Sequence, residues 1–138
     1  MRAPTKHTSD RSVYAVTAVA VGVSVVHYVD NVVNYDAYPS GDALGLPPPP
    51  VGVIAASWFA FSAVALFAII SLRQGRRRRA GTLLAAYSAS GLVGIGHYLV
   101  EGAVHMAWWR QLHVCVDIAC GAALVYVAVS LLRSPAPT

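Results

Sequence analysis

Charge is what this chain has least of. Only 12% of its 138 residues are Asp, Glu, Lys or Arg, and only six are acidic. A soluble domain carries about twice that charged fraction, and too little polar sequence remains to coat a soluble all-helical core. Cysteine is scarce as well. Cys115 and Cys120 lie five residues apart on one predicted helix, where they point in different directions, so no disulfide framework is implied. Long interruptions of the apolar sequence are also few. The chain is 57% hydrophobic, with a mean hydropathy of +0.57.

Four apolar stretches account for that bias: Val13–Tyr35, Val51–Leu72, Gly81–Ala103 and Leu112–Leu132. About 20 apolar residues in a helix cross the ~30 Å hydrocarbon layer. Backbone amides in lipid must be paired within their own segment, so the stretches are predicted to be helices. The expected fold is an all-α integral membrane protein, an antiparallel four-helix bundle forming one domain. The plasma membrane of a prokaryote is its expected location, with the lipid bilayer as its first partner. The start of the chain superficially resembles a signal peptide, but its apolar run continues into His27 and is read as an uncleaved first helix.

The net charge of +4 would suit nucleic acid, but its placement argues against that partner. Arg2, Lys6, Arg11, Arg73, Arg76, Arg77, Arg78, Arg79 and Arg133 precede helix 1, follow helix 4, or fill the inner loop 73–80. Cationic loops stay cytoplasmic, which puts both termini inside. The Arg76–Arg79 run also suits anionic lipid headgroups, though orientation is the simpler reading. The outer side then holds loop 36–50, with Pro39, Gly41, Gly45 and Pro47–Pro50, and a short turn at Trp108–Gln111. The four prolines read as a stiff polyproline connector into helix 2. Tyr35, Tyr38, Trp108 and Trp109 mark the outer interface, where amphipathic rings collect. Gly22, Ser24, Ser90, Gly94 and Gly121 are expected to allow close helix contact.

Against this apolar background, one end of the chain gathers His27, His97, His105 and His113 with Asp30, Asp36, Asp42, Glu101 and Asp117. Spacing sorts them onto faces. His27, Asp30, Asn31 and Asn34 share one face of helix 1. His97, Glu101 and His105 share one face of helix 3, and His113, Asp117 and Cys120 one face of helix 4. Counted from the aromatic belt at about 1.5 Å per residue, all lie within about 17 Å of it. Helix 2 offers only hydroxyls such as Ser57 and Ser62, with Trp58. Three polar stripes at matching depth are expected to converge on a pocket open to the outer face. An ionised group in hydrocarbon costs several kcal/mol unless paired or hydrated, and functional sites are the usual reason for it. Interhelical hydrogen bonding is the plainer alternative.

Four chemistries suit such a set. The leading one is a divalent transition-metal site drawn from His27, Asp30, His97, Glu101, His105, His113 and Asp117, supported by Asn31, Asn34 and Cys120. Imidazole with carboxylate accepts Zn, Cu, Fe or Mn, and i, i+4 pairs such as His97/Glu101 and His113/Asp117 can share an ion. The second is acid–base chemistry on a lipid-soluble molecule, since burial and neighbouring charges tune such groups. The third, b-type haem held by His27 and His97, fits less well because their levels differ by about 5 Å. The fourth, a proton-relay subunit of a larger membrane complex, lacks titratable groups in the inner half. Metal identity, substrate and oligomeric state are left open, and a second copy or another membrane subunit remains a candidate partner.

His27-Tyr28 with Asp30 and His97-Tyr98 with Glu101 hint at a two-helix unit used twice. The segment Gly96-His97-Tyr98-Leu99-Val100-Glu101-Gly102 also resembles the His-x-x-x-Glu-Gly segment of emopamil-binding-protein-like sterol isomerases, the EXPERA-domain family. Val114-Cys115-Val116-Asp117 is similar to that family's next helix, where a Glu follows Val-Cys. The resemblance covers about 30 residues in helices 3 and 4. It implies a helical membrane bundle in which His97, Glu101 and Asp117 would move a proton around a sterol double bond. Asp117 stands where the family has Glu, and the intervening loop is shorter here. On either leading chemistry, Glu101→Gln is expected to abolish function and leave the bundle folded.

Overall fold

The fold is seen in a computed structural model that describes residues 9–39 and 47–133. Asp42, Gly41, Gly45, Arg2 and Lys6 lie outside the described residues. Four α-helices are present among the described residues: α1 (Asp10–Val33), α2 (Val51–Arg73), α3 (Arg77–Leu92) and α4 (Trp108–Leu132). Short 3₁₀ segments follow α1 at Tyr35–Ala37, extend α3 over Val93–Leu99, and precede α4 at Ala103–His105. No strand occurs among the described residues.

Local chemistry explains the boundaries. Ser9 caps α1 by accepting the Ser12 amide hydrogen, with Asp10 in the first turn. Pro50 occupies the cap position of α2, where its fixed φ and missing N–H cost least. Between α2 and α3 the chain reverses at Gly75, whose φ of 72° is left-handed. The third apolar stretch departs most from expectation. Instead of one helix over 81–103, α3 starts at Arg77 and its α-helical part ends at Leu92. Gly91, Gly94 and Gly96 with the β-branched Val93 and Ile95 make Gly91–Gly96 a poor α-helix former. The chain tightens to 3₁₀, becomes extended at Val100, and turns at Gly102 with φ 88°. Residues 108–111, read as an outer turn, are instead the first turn of α4.

Each helix packs on two neighbours, in the cyclic order α1, α2, α3, α4. A large apolar cluster holds Val13, Leu72, Ala80 and Leu131 near the helix ends that carry the arginines. A smaller one, Tyr38, Ala103, Met106 and Val114, closes the opposite end. Between them lies a layer of buried polar groups. Helices α3 and α4 approach closely: a Cβ on Gly91 would collide with the Asp117 carbonyl oxygen, and one on Gly121 would meet Leu92 N at 2.9 Å. Gly94 also packs, against Ile118 and His27, but Gly22 faces open space and does not serve helix contact.

The outside of the bundle is apolar. Val19, Val26, Val33, Phe59, Leu66 and Phe67 are all exposed. Three helices, α1, α2 and α4, are long and apolar enough to cross a membrane. With this exterior they identify the chain as a membrane protein.

Candidate functional site

The polar layer divides into two linked groups. In the first, His27 from α1 meets Asp117 from α4: Nδ1 lies 2.7 Å from Oδ2, with side chains only 3% and 2% exposed. An ionised carboxylate only accepts, so His27 Nδ1 is the donor. That fixes the tautomer and turns the Nε2 lone pair toward His97, whose Nε2 is 3.4 Å away. Asn31, one turn along α1, donates its amide Nδ2 to the same His97 nitrogen at 3.2 Å. His97 Nε2 accepts from Asn31, and its role toward His27 Nε2 depends on the tautomers of the two rings. Such a contact is favourable only with a proton or cation between them.

The second group centres on Asp30. Its carboxylate accepts from Arg110 Nε at 2.8 Å, Tyr38 Oη at 2.6 Å, Asn34 Nδ2 at 2.7 Å and His113 Nε2 at 3.3 Å. Arg110 also reaches Asp30 Oδ1 and the Ala37 carbonyl oxygen, each at 3.5 Å. Its guanidinium lies over the rings of Tyr38 and Trp109, 5.1 and 4.7 Å from their centroids. Burial, and then the bond to Asp30, push the Tyr38 phenol well above its ordinary range, so it remains a donor. A buried charge pair is tolerated when its remaining hydrogen-bonding capacity is used, and here five donor contacts converge on one carboxylate.

The groups touch through the histidines. The His27 ring centroid is 5.5 Å from that of His97 and 5.5 Å from that of His113. Tyr38 stacks at 4.9 Å on His97. His113 Nδ1 is buried and has no hydrogen-bond partner among the described residues. With the histidines neutral, Asp30, Asp117 and Arg110 leave the layer one negative charge.

Of the residues singled out in the sequence, His27, Asp30, Asn31, His97, His113 and Asp117 come together, and Asn34 joins at the edge. Glu101 and His105 do not. Both are exposed, because the chain has left the α-helix before reaching them and the i, i+4 spacing no longer sets a shared face. Cys120 packs against the large apolar cluster, one turn beyond Asp117, and both cysteines are free. The sequence reading missed Arg110 and Tyr38. The signal was there for Arg110: it is the one basic residue outside the cytoplasmic-type loops and termini, and Asp30 had no assigned counter-charge.

Among the described residues, no three His, Cys, Asp or Glu side chains form a ready ligand set. The His27–His97 pair nevertheless has the geometry to share an ion. Ligand nitrogens at about 2.0–2.1 Å from a tetrahedral zinc-like ion sit about 3.3 Å apart. Outside the layer, an apolar crevice of about 250 Å³ opens between α1 and α2, lined by residues including Val25, Tyr28, Val29, Trp58 and Phe59. Tyr28, one of these residues, has its ring centroid 5.7 Å from that of His27. No protein-family model, curated protein or solved structure matches the chain.

Proposed function

We propose that this protein is an antiparallel four-helix membrane bundle that binds a transition-metal ion between His27 and His97. One observation carries the reading: two Nε2 atoms face each other at 3.4 Å while Asp117 holds the far nitrogen of one ring. A carboxylate on the outer nitrogen of a ligating histidine fixes its tautomer and raises its basicity. Donors that are imidazole nitrogens suit zinc, copper or iron better than manganese. With the histidines neutral, the local charge of minus one favours a cation.

The membrane frame is part of the proposal. The 16 α-helical residues of α3 at about 1.5 Å each and its seven-residue 3₁₀ extension at about 2.0 Å each give this segment a membrane-spanning reach. The arginines at 73–79 and at Arg133 argue for cytoplasmic termini, and so for a metal site in the outer half. Equilibrium dialysis of the detergent-purified protein against zinc or copper tests the reading. One ion per chain, lost in His27→Ala and in His97→Ala with helix content unchanged, is expected. Uptake that both substitutions leave intact rejects it.

A second reading has its own support. Asp117, His27 and His97 already stand in series at 2.7 and 3.4 Å, and Tyr28, beside His27, lines an apolar crevice. That favours acid–base chemistry on a lipid-soluble molecule, in keeping with the isomerase-like resemblance. Of the three residues that resemblance implies, His97 and Asp117 both contact His27, while Glu101 stands apart. A purified protein with no metal and a co-purified sterol-like or other apolar molecule would favour this reading.

A further inference from the structure

We infer that His113 is a third ligand of the same centre and supplies its Nδ1 to the ion. This rests on the metal-binding reading above and deepens it. The observation behind it is separate from the His27–His97 pair. His113 Nδ1 is buried and has no partner among the described residues. An imidazole nitrogen so placed loses its water without gaining a hydrogen bond, which is unfavourable. The opposite side of the ring is held: Nε2 meets Asp30 Oδ2 at 3.3 Å, and Arg110 fixes Asp30 in turn. An ionised Asp30 makes Nε2 the protonated nitrogen, so Nδ1 carries the lone pair.

Two of the three ring separations agree. The His27 centroid is equidistant, at 5.5 Å, from those of His97 and His113. Rings bound through nitrogens at about 2.0–2.1 Å around one ion bring their centroids to about 5–5.5 Å. Two of the three imidazoles would then carry a carboxylate on their other nitrogen: His27 by Asp117 and His113 by Asp30. That is the outer-shell pattern of ligating histidines. Because no three-residue set is preformed among the described residues, His113 closes on the ion when it binds. Three neutral imidazoles leave a fourth position for water or another small ligand, the arrangement of a reactive rather than a closed structural site. Copper and zinc are the ions that such a shell takes best.

The full-length protein in detergent, titrated with copper(II) alone, tests this. Electron paramagnetic resonance counts the coordinated nitrogens, and chelator competition gives the affinity. The expected wild-type result is one copper per chain with three nitrogens. His113→Ala keeps one copper, shows one nitrogen fewer, and binds at least tenfold more weakly. Asp30→Asn, with His113 intact, keeps three nitrogens and weakens binding about tenfold. If His113→Ala loses helix content by circular dichroism, His113→Gln takes its place, because it retains a polar side chain in the same space. A spectrum and affinity equal to wild type in the folded His113 variant overturns this inference and leaves the His27–His97 reading standing. A wild-type protein that takes up no copper or zinc overturns both. Copper retained unchanged by a His27→Ala/His97→Ala double variant is an adventitious ion only, and also overturns both.

Discussion

The charge relationships of single residues set what this site can do. Asp117 is almost fully buried and its nearest cationic or protonated partner is His27. Asp117→Asn removes the anionic acceptor while keeping size and polarity. Metal affinity should fall about 10- to 100-fold, as for other outer-shell carboxylates, with helix content unchanged. An affinity that does not move would mean that the His27 tautomer is set elsewhere. Glu101 provides the contrast. Its sequence position between His97 and His105 makes it look central, yet it is exposed on a turn. Glu101→Gln should therefore leave metal affinity within about twofold and stability within the usual ±0.5 kcal/mol of a surface change. Abolished binding would show that the segment after Leu92 folds back onto the site. His27, His97 and Asp117 were legible from face and depth, because two of them lie on regular helices and the third lies shortly after one. Glu101 and His105 were misread because spacing carries meaning only while the α-helix lasts. Arg110 was missed because its place beside two tryptophans looked like a turn, when in fact it begins α4 and turns inward.

At the level of elements, two contacts position the layer. The first is the α3–α4 crossing at Gly91 and Gly121, where no side chain fits between the backbones. Gly91→Ala places a methyl group against the Asp117 carbonyl, and overpacking of this kind costs about 1–3 kcal/mol. Thermal unfolding in detergent should show that loss, with weaker metal binding because the displaced residue carries Asp117. Unchanged unfolding would place the crossing elsewhere. The small-residue signal was readable in the sequence: it named Gly121 on one side of the crossing and Gly94 nearby, but it missed Gly91, and Gly22 proved to be surface. Only the relative rotation of two helices, which sequence spacing does not fix, selects among neighbouring small residues. The second contact is Arg110 with Asp30, which ties the start of α4 to the end of α1 and, through Ala37 and Tyr38, to the following 3₁₀ turn. Arg110→Ala leaves a buried carboxylate without its charge partner, a change that costs about 3–5 kcal/mol. The double variant Arg110→Ala/Asp30→Asn should recover much of that stability. Failure to recover would assign the loss to the stacking of Arg110 on Tyr38 and Trp109 instead.

For the whole molecule, the dominant fact is the apolar exterior around a polar centre. Helix number and the membrane character were legible from run length, because a helix in lipid needs a continuous apolar surface and little else. The helix neighbours were not legible, since apolar helices give no stripe that distinguishes a packed face from a lipid-facing one. The proposed orientation is open to labelling with a membrane-impermeant thiol reagent in cells, after Cys115 and Cys120 are replaced by Ala. A cysteine at Gln74 should react only after permeabilisation, and one at exposed Ala107 should react in intact cells. The reverse pattern would invert the bundle and place the metal layer in the inner half.

The central claim is that imidazoles from α1 and from the 3₁₀ extension of α3 share one metal ion. X-ray absorption at the zinc edge of the loaded, full-length protein measures that most directly. The expected fine structure is a nitrogen shell at about 2.0–2.1 Å with the outer-shell scattering of at least two imidazole rings, and His97→Ala is expected to carry no zinc to measure. A first shell made only of oxygen, or a ring count that His97→Ala and His27→Ala both leave unchanged, would contradict the account.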